Sequence, residues 1–287
     1  MIVTRNRIRR GCRPYQLLMS LAILCAAAAA QDAGSQPAIQ DNSFLVEEAY
    51  NQERGVVQHI NTFSRLWNSK DWVYTFTQEW PMPWEARHQL SYTLIAAHAG
   101  AFSGSGAGLG DLILNYRYQL VGNGEARTAF SPRLSVLIPT GDEAHGRGFG
   151  AKGMQANLPL SVVLNSRLVS HWNAGATFVA QAHNAMHQRA DSLGYNLGQS
   201  LIWLAHPRFN VLLETVYASA QSVVAPDQTE WTRSLYLSPG IRWAYNFKNG
   251  LQIVPGIGVP IGAGPSAGER GVFLYLSFEH PFGERAK

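Results

Sequence analysis

From residue 55 onward the chain alternates apolar and polar side chains at period two, and nothing after residue 30 supplies the ~18 consecutive apolar residues of a spanning helix. Across 111–120, Leu112, Leu114, Tyr116, Tyr118 and Leu120 share one face, while Asp111, Asn115, Arg117 and Gln119 share the other. Across 232–247, Leu235, Leu237, Ile241, Trp243, Tyr245 and Phe247 oppose Ser238, Arg242 and Asn246. Trp72, Tyr74, Phe76 and Trp80 oppose Thr75, Thr77 and Glu79, and Val272, Leu274, Leu276, Phe278 and Phe282 oppose Tyr275, Ser277 and Glu279. Side chains of a strand point alternately to its two faces, so each such segment is a strand with an apolar and a polar side. The pattern predicts about twelve strands, at 56–66, 71–81, 86–97, 109–121, 127–139, 153–165, 167–181, 193–205, 208–221, 232–247, 250–260 and 271–282.

A soluble sandwich or a lipocalin-like barrel would show the same alternation, and the connections discriminate. A long AHAGAFSGSGAG follows the third strand, a short GNGEA the fourth, and a long TGDEAHGRGFGAK the fifth. Long stretches are expected after the seventh, ninth and eleventh strands, and tight turns at His206-Pro207 and Asn249-Gly250. Alternating short and long connections belong to outer-membrane barrels, with periplasmic turns and extracellular loops. The first outer turn, WNSK, is short and breaks the rule. With the N-terminus in the periplasm, Trp80, Tyr118, Trp203, Tyr245, Phe247 and Phe282 fall near periplasmic strand ends, as an interfacial aromatic girdle would. Pro132, Pro159, Pro239 and Pro255 lie inside the predicted strands and count against closure, because a closed barrel has no edge to hide them.

The N-terminus fits export. Arg5, Arg7, Arg9, Arg10 and Arg13 precede the apolar run 17–30, whose Ala28 and Ala30 form an A-x-A site with cleavage after Ala30. A lipoprotein signal fits less well, because bulky Ile23 and Leu24 precede Cys25. Five of the 23 basic residues and none of the 19 acids lie in this segment, so the remainder carries 18 against 19. The formal charge of +4 is therefore a property of the leader and gives no support for nucleic-acid binding. Cys12 and Cys25 also lie there, which removes disulfides, thiol catalysis and cysteine metal sites from the exported chain. The expectation is all-β: a signal peptide at 1–30, a periplasmic lead-in at 31–54, a transmembrane antiparallel up-and-down β-barrel at 55–282 and a tail at 283–287. Phe44 to Tyr50 either plugs the periplasmic mouth or merely precedes the first strand.

The stretches FLVEEAYNQERGVVQHI (44–60), WVYTFTQEWPMP (72–83), GLGDLILNYRYQL (108–120), SPRLSVLIPTGD (131–142) and SPGIRWAYNFKNGLQIVPGIGVPIG (238–262) resemble the outer-membrane transporter family labelled "MetA-pathway of phenol degradation". The resemblance covers nearly all of the exported chain. It implies a barrel in the outer membrane of a Gram-negative bacterium, inserted by the barrel-assembly machinery and surrounded by lipid. It also implies transport of small solutes, aromatic or hydrophobic ones among them, and leaves the cargo unspecified. GERAK, after Phe282, departs from barrels that finish on a terminal aromatic.

The remaining patterns weigh against catalysis. Barrel lipid hydrolases resembling the phospholipase and deacylase types place His and Ser two apart on one strand face, so that His activates Ser. None of the nine histidines here is followed by Ser at that spacing. His183 and His187 in HNAMH need a helix to grip a metal as an i, i+4 pair, and a loop is expected there, so no metal site is assigned. SGSGAGLGD lacks the strand-to-helix context and the Lys of a phosphate cradle. No cofactor is implied. The polar faces put Glu79, Asp111, Arg117, Arg133, Glu214, Arg242 and Glu279 inside the barrel, as an electrostatic filter or as ion pairs filling a narrow lumen. A channel or transporter is the first reading, a structural or adhesive barrel working through its loops the second, and a barrel lipid hydrolase the third.

Overall fold

The computed structural model describes residue 39 and residues 41–82, 85–100 and 106–282. The cleavage site after Ala30 and the tail 283–287 lie outside the described residues. The strands are β1 (Val56–Leu66), β2 (Trp72–Pro81), β3 (His88–His98), β4 (Gly108–Leu109), β5 (Leu112–Tyr118), β6 (Thr128–Phe130), β7 (Arg133–Ile138), β8 (Gly153–Asn157) and β9 (Leu160–Asn165). They continue as β10 (Leu168–His183), β11 (Arg189–His206), β12 (Phe209–Ala225), β13 (Gln228–Trp243), β14 (Tyr245–Asn246), β15 (Gln252–Gly258), β16 (Ile261–Gly262) and β17 (Gly271–Pro281). Five short pieces are continuations of longer ones: β4 with β5, β6 with β7, β8 with β9, β14 with β13, and β16 with β15. The result is a closed antiparallel barrel of twelve staves. β1 pairs with β2 on one side and with β17 on the other, in register from Val56↔Pro281 to Leu66↔Gly271, which closes the ring.

The barrel is inside-out. Leu90, Leu94, Leu114, Leu134, Leu197, Leu237 and Leu274 are exposed on the outer wall, whereas Gln58, Gln89, Asn115, Arg117, Ser200, Glu214 and Arg242 are buried. An outer apolar belt around a polar interior suits lipid outside and water or polar chain inside. Tyr245, Phe247 and Phe282 are exposed at the end where β1 begins, where a girdle ring would meet head groups. Among the described residues no helix is long and apolar enough to cross a membrane.

The prolines fall where the ladder lapses. Pro132 separates β6 from β7, and Pro159 separates β8 from β9. Between β13 and its neighbour, pairing holds at Gly240–Arg242 with Gly256–Gly258 and at Tyr236–Leu237 with Gly262–Ile261, and is interrupted around Pro239 and Pro260. A second interruption next to Pro255 separates that block from the pairing of Tyr245 and Asn246 with Ile253 and Gln252. Proline cannot donate to a ladder, so the barrel is closed with local gaps at these positions.

Two expected loops are strand. β10 and β11 run for 16 and 18 residues and are joined by 184–188 alone. β12 and β13 run for 17 and 16 residues and meet at Pro226-Asp227, where Asp227 takes φ 57°. Pro sets the first φ of such a turn and Asp tolerates the left-handed one, so these residues make a tight hairpin. By contrast β1, β2, β3 and β17 have 10 or 11 residues. One wall of the barrel is therefore tall and the other low.

Candidate functional site

The segment before β1 has no regular secondary structure and lies inside the barrel. A buried irregular backbone needs partners for its N–H and C=O groups, and these come from lumen side chains. Glu214 Oε1 accepts from the N–H of Leu45 (2.9 Å) and Val46 (3.2 Å). Asn173 Oδ1 accepts from Glu47, Ser161 Oγ from Ala49, Gln119 Oε1 from Asn51 and Gln89 Oε1 from Gln52, all at 2.7–2.9 Å. In return Arg117 donates to the Tyr50 carbonyl, Gln119 to that of Ala49 and Asn173 to that of Glu47. The partners come from β3, β5, β9, β10 and β12, so residues 41–52 sweep across the lumen as a plug. Gln58 on β1 ties the sweep together, accepting from Gln52 and donating to Asp41. The plug occupies the half of the barrel nearer the end where β1 begins.

The anchor of the plug is an aromatic knob. Phe44 packs against Phe273 and Tyr275 with ring centroids 5.6 Å away in each case. It fits because Gly256 and Gly258 pair with Tyr275 and Phe273 on the adjacent strand, and Gly240 follows on the next, leaving a hollow in the wall. A Cβ at Gly256 would stand 2.5 Å from the Phe44 ring, and one at Gly258 3.0 Å from it. Ile39, Ile60, Ile202, Leu212 and Val254 complete this apolar patch inside the barrel. Burying one Phe side chain contributes about 1.5–3 kcal/mol, so Phe44 fixes position while the polar partners fix register.

The seven charged residues expected in the lumen take different roles. Arg242 donates to the carbonyls of Asp41 (2.7 Å), Asn42 (2.6 Å) and Ile39 (3.3 Å). Glu214 holds Leu45 and Val46, and Glu279 hydrogen-bonds the side chain of Gln52. Arg117 lies 3.6 Å from Glu47 and 3.9 Å from Glu79, which also accepts from Gln89. Arg133 makes the tighter pair with Glu47, at 2.7 Å. Asp111 is apart from the others: it accepts from the N–H of Gly141 and Phe149 and so holds the loop 139–152. The structure thus groups Arg117, Arg133 and Glu79 around Glu47, places Arg242, Glu214 and Glu279 along the plug, and leaves Asp111 at the loop rim.

The plug carries buried acids of its own. Asp41 is fully buried and receives Tyr275, Ser277 and Gln58. Burial raises its carboxyl above the ordinary value, with Arg242 and the two hydroxyls pulling the other way. Burial also raises Glu48 well above the usual carboxylate range, reinforced by Asp41. Tyr50 is pushed up to about 12, by burial first and Glu48 second.

Beyond the plug lies a cavity of about 310 Å³. Phe44, Ile60, Phe273 and Tyr275 form one wall, and Thr75, Thr77, Thr93, Asn115, Arg117 and Arg133 the other. Sequence reasoning found the arginines but not the aromatic wall. Its inward position was visible only in Tyr275, and Phe273 sits two residues earlier on the same face.

The family model for "Putative MetA-pathway of phenol degradation" matches residues 37–274. The chain belongs to that family. The matched span includes the plug, so the family pattern covers both the lumen wall and what fills it. Among solved structures, the COG4313 outer membrane channel from Pseudomonas putida F1 has a TM-score of 0.55 at 14% identity, over 87% of this chain and 99% of that one. The NanC porin has a TM-score of 0.49 at 9% identity, over 77% and 98%. At 14% identity the likeness to the COG4313 channel is one of fold. No curated protein matches the chain in sequence.

Proposed function

We propose that this outer-membrane barrel is a transporter of small amphipathic solutes, aromatic or hydrophobic ones among them, that bind in the cavity beyond the plug. The observation that carries the reading is the two-sided lining: Phe44, Phe273 and Tyr275 against Arg133, Arg117 and the threonines. Aromatic faces offset-stack on a ring, and a guanidinium takes the oxygen of a phenol or carboxylate. The cavity has room for a small ring compound. Largely apolar pockets with a few converging polar groups are how small-molecule sites are built. In this reading the end where β1 begins faces the periplasm, and insertion uses the barrel-assembly machinery.

Planar-bilayer recording tests it. Phenol or benzoate added to the loop side should reduce open-channel current in a concentration-dependent way, whereas glycerol should not. Arg133→Gln should weaken the benzoate effect more than the phenol effect, because only benzoate brings a full charge to the guanidinium. Equal responses to glycerol and to the aromatics would sink the proposal.

A further inference from the structure

The loop 139–152 and the turn 184–188 meet at the rim opposite the plug. There Glu143 Oε1 lies 3.6 Å from His183 Nδ1 and 3.4 Å from His187 Nδ1. One ligand atom from each of the three residues lies within 4.8 Å of the other two. We infer that Glu143, His183 and His187 form a binding site for a divalent metal ion of the zinc class, which clasps the loop to the β10–β11 turn.

The separations argue for a shared ion rather than direct contact. Hydrogen bonds from a ring nitrogen to a carboxylate span roughly 2.7–3.2 Å. With metal–ligand bonds near 2.0–2.1 Å, the edge of a tetrahedron is about 3.3–3.4 Å. Both Glu143–His distances sit at or just above that edge. Two histidines and one glutamate are a known zinc donor set, with the fourth position open to water. The exposed side of His187, 71% accessible, is where that position would lie.

The backbone makes room for this arrangement. Gly150 adopts φ 63°, and a Cβ on it would stand 2.7 Å from His183 Nδ1 and 3.0 Å from the Glu143 carboxyl carbon. His187 sits at φ 58° in a turn held by Asn184, whose Oδ1 accepts from the N–H of Met186 and Gln188. The His183 N–H donates to the Phe149 carbonyl at 2.8 Å, docking the loop on the strand end. Phe149 is also held by Asp111, so the ion would fix the outer face of a loop already held on its inner face. An i, i+4 histidine pair without a helix is a weak ligand set. The third ligand comes from a loop about forty residues away, which spacing could not show.

The test uses the full barrel in detergent and Co(II) as the spectroscopic stand-in for zinc. One equivalent of Co(II) should develop the intense visible bands of a four-coordinate ion, and Zn(II) should abolish them by displacement. Glu143→Gln and His187→Asn should each weaken Co(II) binding at least roughly ten-fold, the lower bound seen when even indirect supports of a metal site are removed. His187→Asn keeps a residue that tolerates positive φ, and the heat-dependent gel shift of each variant reports an intact barrel. Zn(II) should also slow tryptic cleavage at Arg147 in the wild type and not in Glu143→Gln. A Co(II) spectrum identical to that of the aquo ion would overturn the proposal. So would unchanged affinity in Glu143→Gln, which would leave only a surface histidine pair.

Discussion

In the half of the lumen nearer the start of β1, Arg242 is 1% exposed and aims its donors at the carbonyls of Ile39, Asp41 and Asn42. On the cavity side of the plug, the Arg133 side chain is 14% exposed, meets one plug carboxylate and lines the cavity. Both are arginines on polar strand faces, one in β13 and one in β7. The first satisfies an irregular backbone, and the second braces lumen side chains, donating to Asn115, Ser135 and Gln155 while lining the cavity. A lumen charge is drawn onto the plug where unpaired main chain lies within its reach, and Arg117, which lines the cavity and also donates to the Tyr50 carbonyl, stands between the two.

The largest effect should come from removing the plug. Deleting residues 41–52 takes away the partners of Glu214, Arg242 and Arg117 and empties half the lumen. Barrels of this size lie between eight-stranded ones filled by side chains and the open porins of 16–18 strands, so single-channel conductance should rise roughly five- to ten-fold. Conductance equal to wild type would mean that ions already bypass the plug, and the distinction between plug and cavity would fail.

Single substitutions sharpen the contrast. Arg242→Gln removes donors from the buried carbonyls of Ile39, Asp41 and Asn42, at about 1–3 kcal/mol for each carbonyl left unsatisfied. Arg133→Gln breaks a partly solvated pair, at about 1 kcal/mol or less. A cysteine in place of the buried Ser43 reports plug release through its reaction with a water-soluble maleimide. Labelling should accelerate at least about a hundred-fold with Arg242→Gln and by less than about ten-fold with Arg133→Gln. Equal acceleration would erase the division of labour.

Much of the barrel was legible because period two is a local property. Staves such as β2, β5 and β17 carry their alternation within themselves, and the family motifs cover their length. The tall wall was not legible: the far ends of β10–β13 mix small, polar and scattered apolar residues without a clean alternation, and resemble loops until their partners are known. The prolines looked like objections because pairing gaps are properties of two strands, not one. The candidate site was half legible. Parity placed Arg117 and Arg133 on the inward face, but it could not show that Arg242 and Glu214 meet the plug, because that depends on where residues 41–52 go. Gly256 and Gly258 at period two were the one overlooked local sign, since an inward face lined with glycine is shaped to receive something bulky.

The smallest expected effect is on pH, and it acts on the plugged half alone. Burial holds the Glu48 carboxyl well above its ordinary value of 4.5; Asp41 and Glu279 push it the same way, while Arg242 and Arg117 oppose them. Once the plug leaves the lumen, Glu48 titrates near that ordinary value. A raised docked-state value means that docking is favoured by the neutral acid. Its stabilisation is fully present below 4.5 and is lost as pH rises through the docked-state value. Asp41, also raised, adds to the same trend. Plug release, read by labelling of the Ser43→Cys reporter corrected for thiolate fraction, should therefore be faster at about pH 8 than at about pH 5. Glu48→Gln should flatten that slope and leave the remainder contributed by Asp41. Arg133→Gln should leave the slope unchanged, because the charges that act on Glu48 are those of Asp41, Arg242, Arg117 and Glu279 rather than that of Arg133. A release rate that falls with rising pH would mean that Glu48 docks ionised, paired with Arg242 and Arg117, and that charge attraction rather than burial governs this half of the lumen.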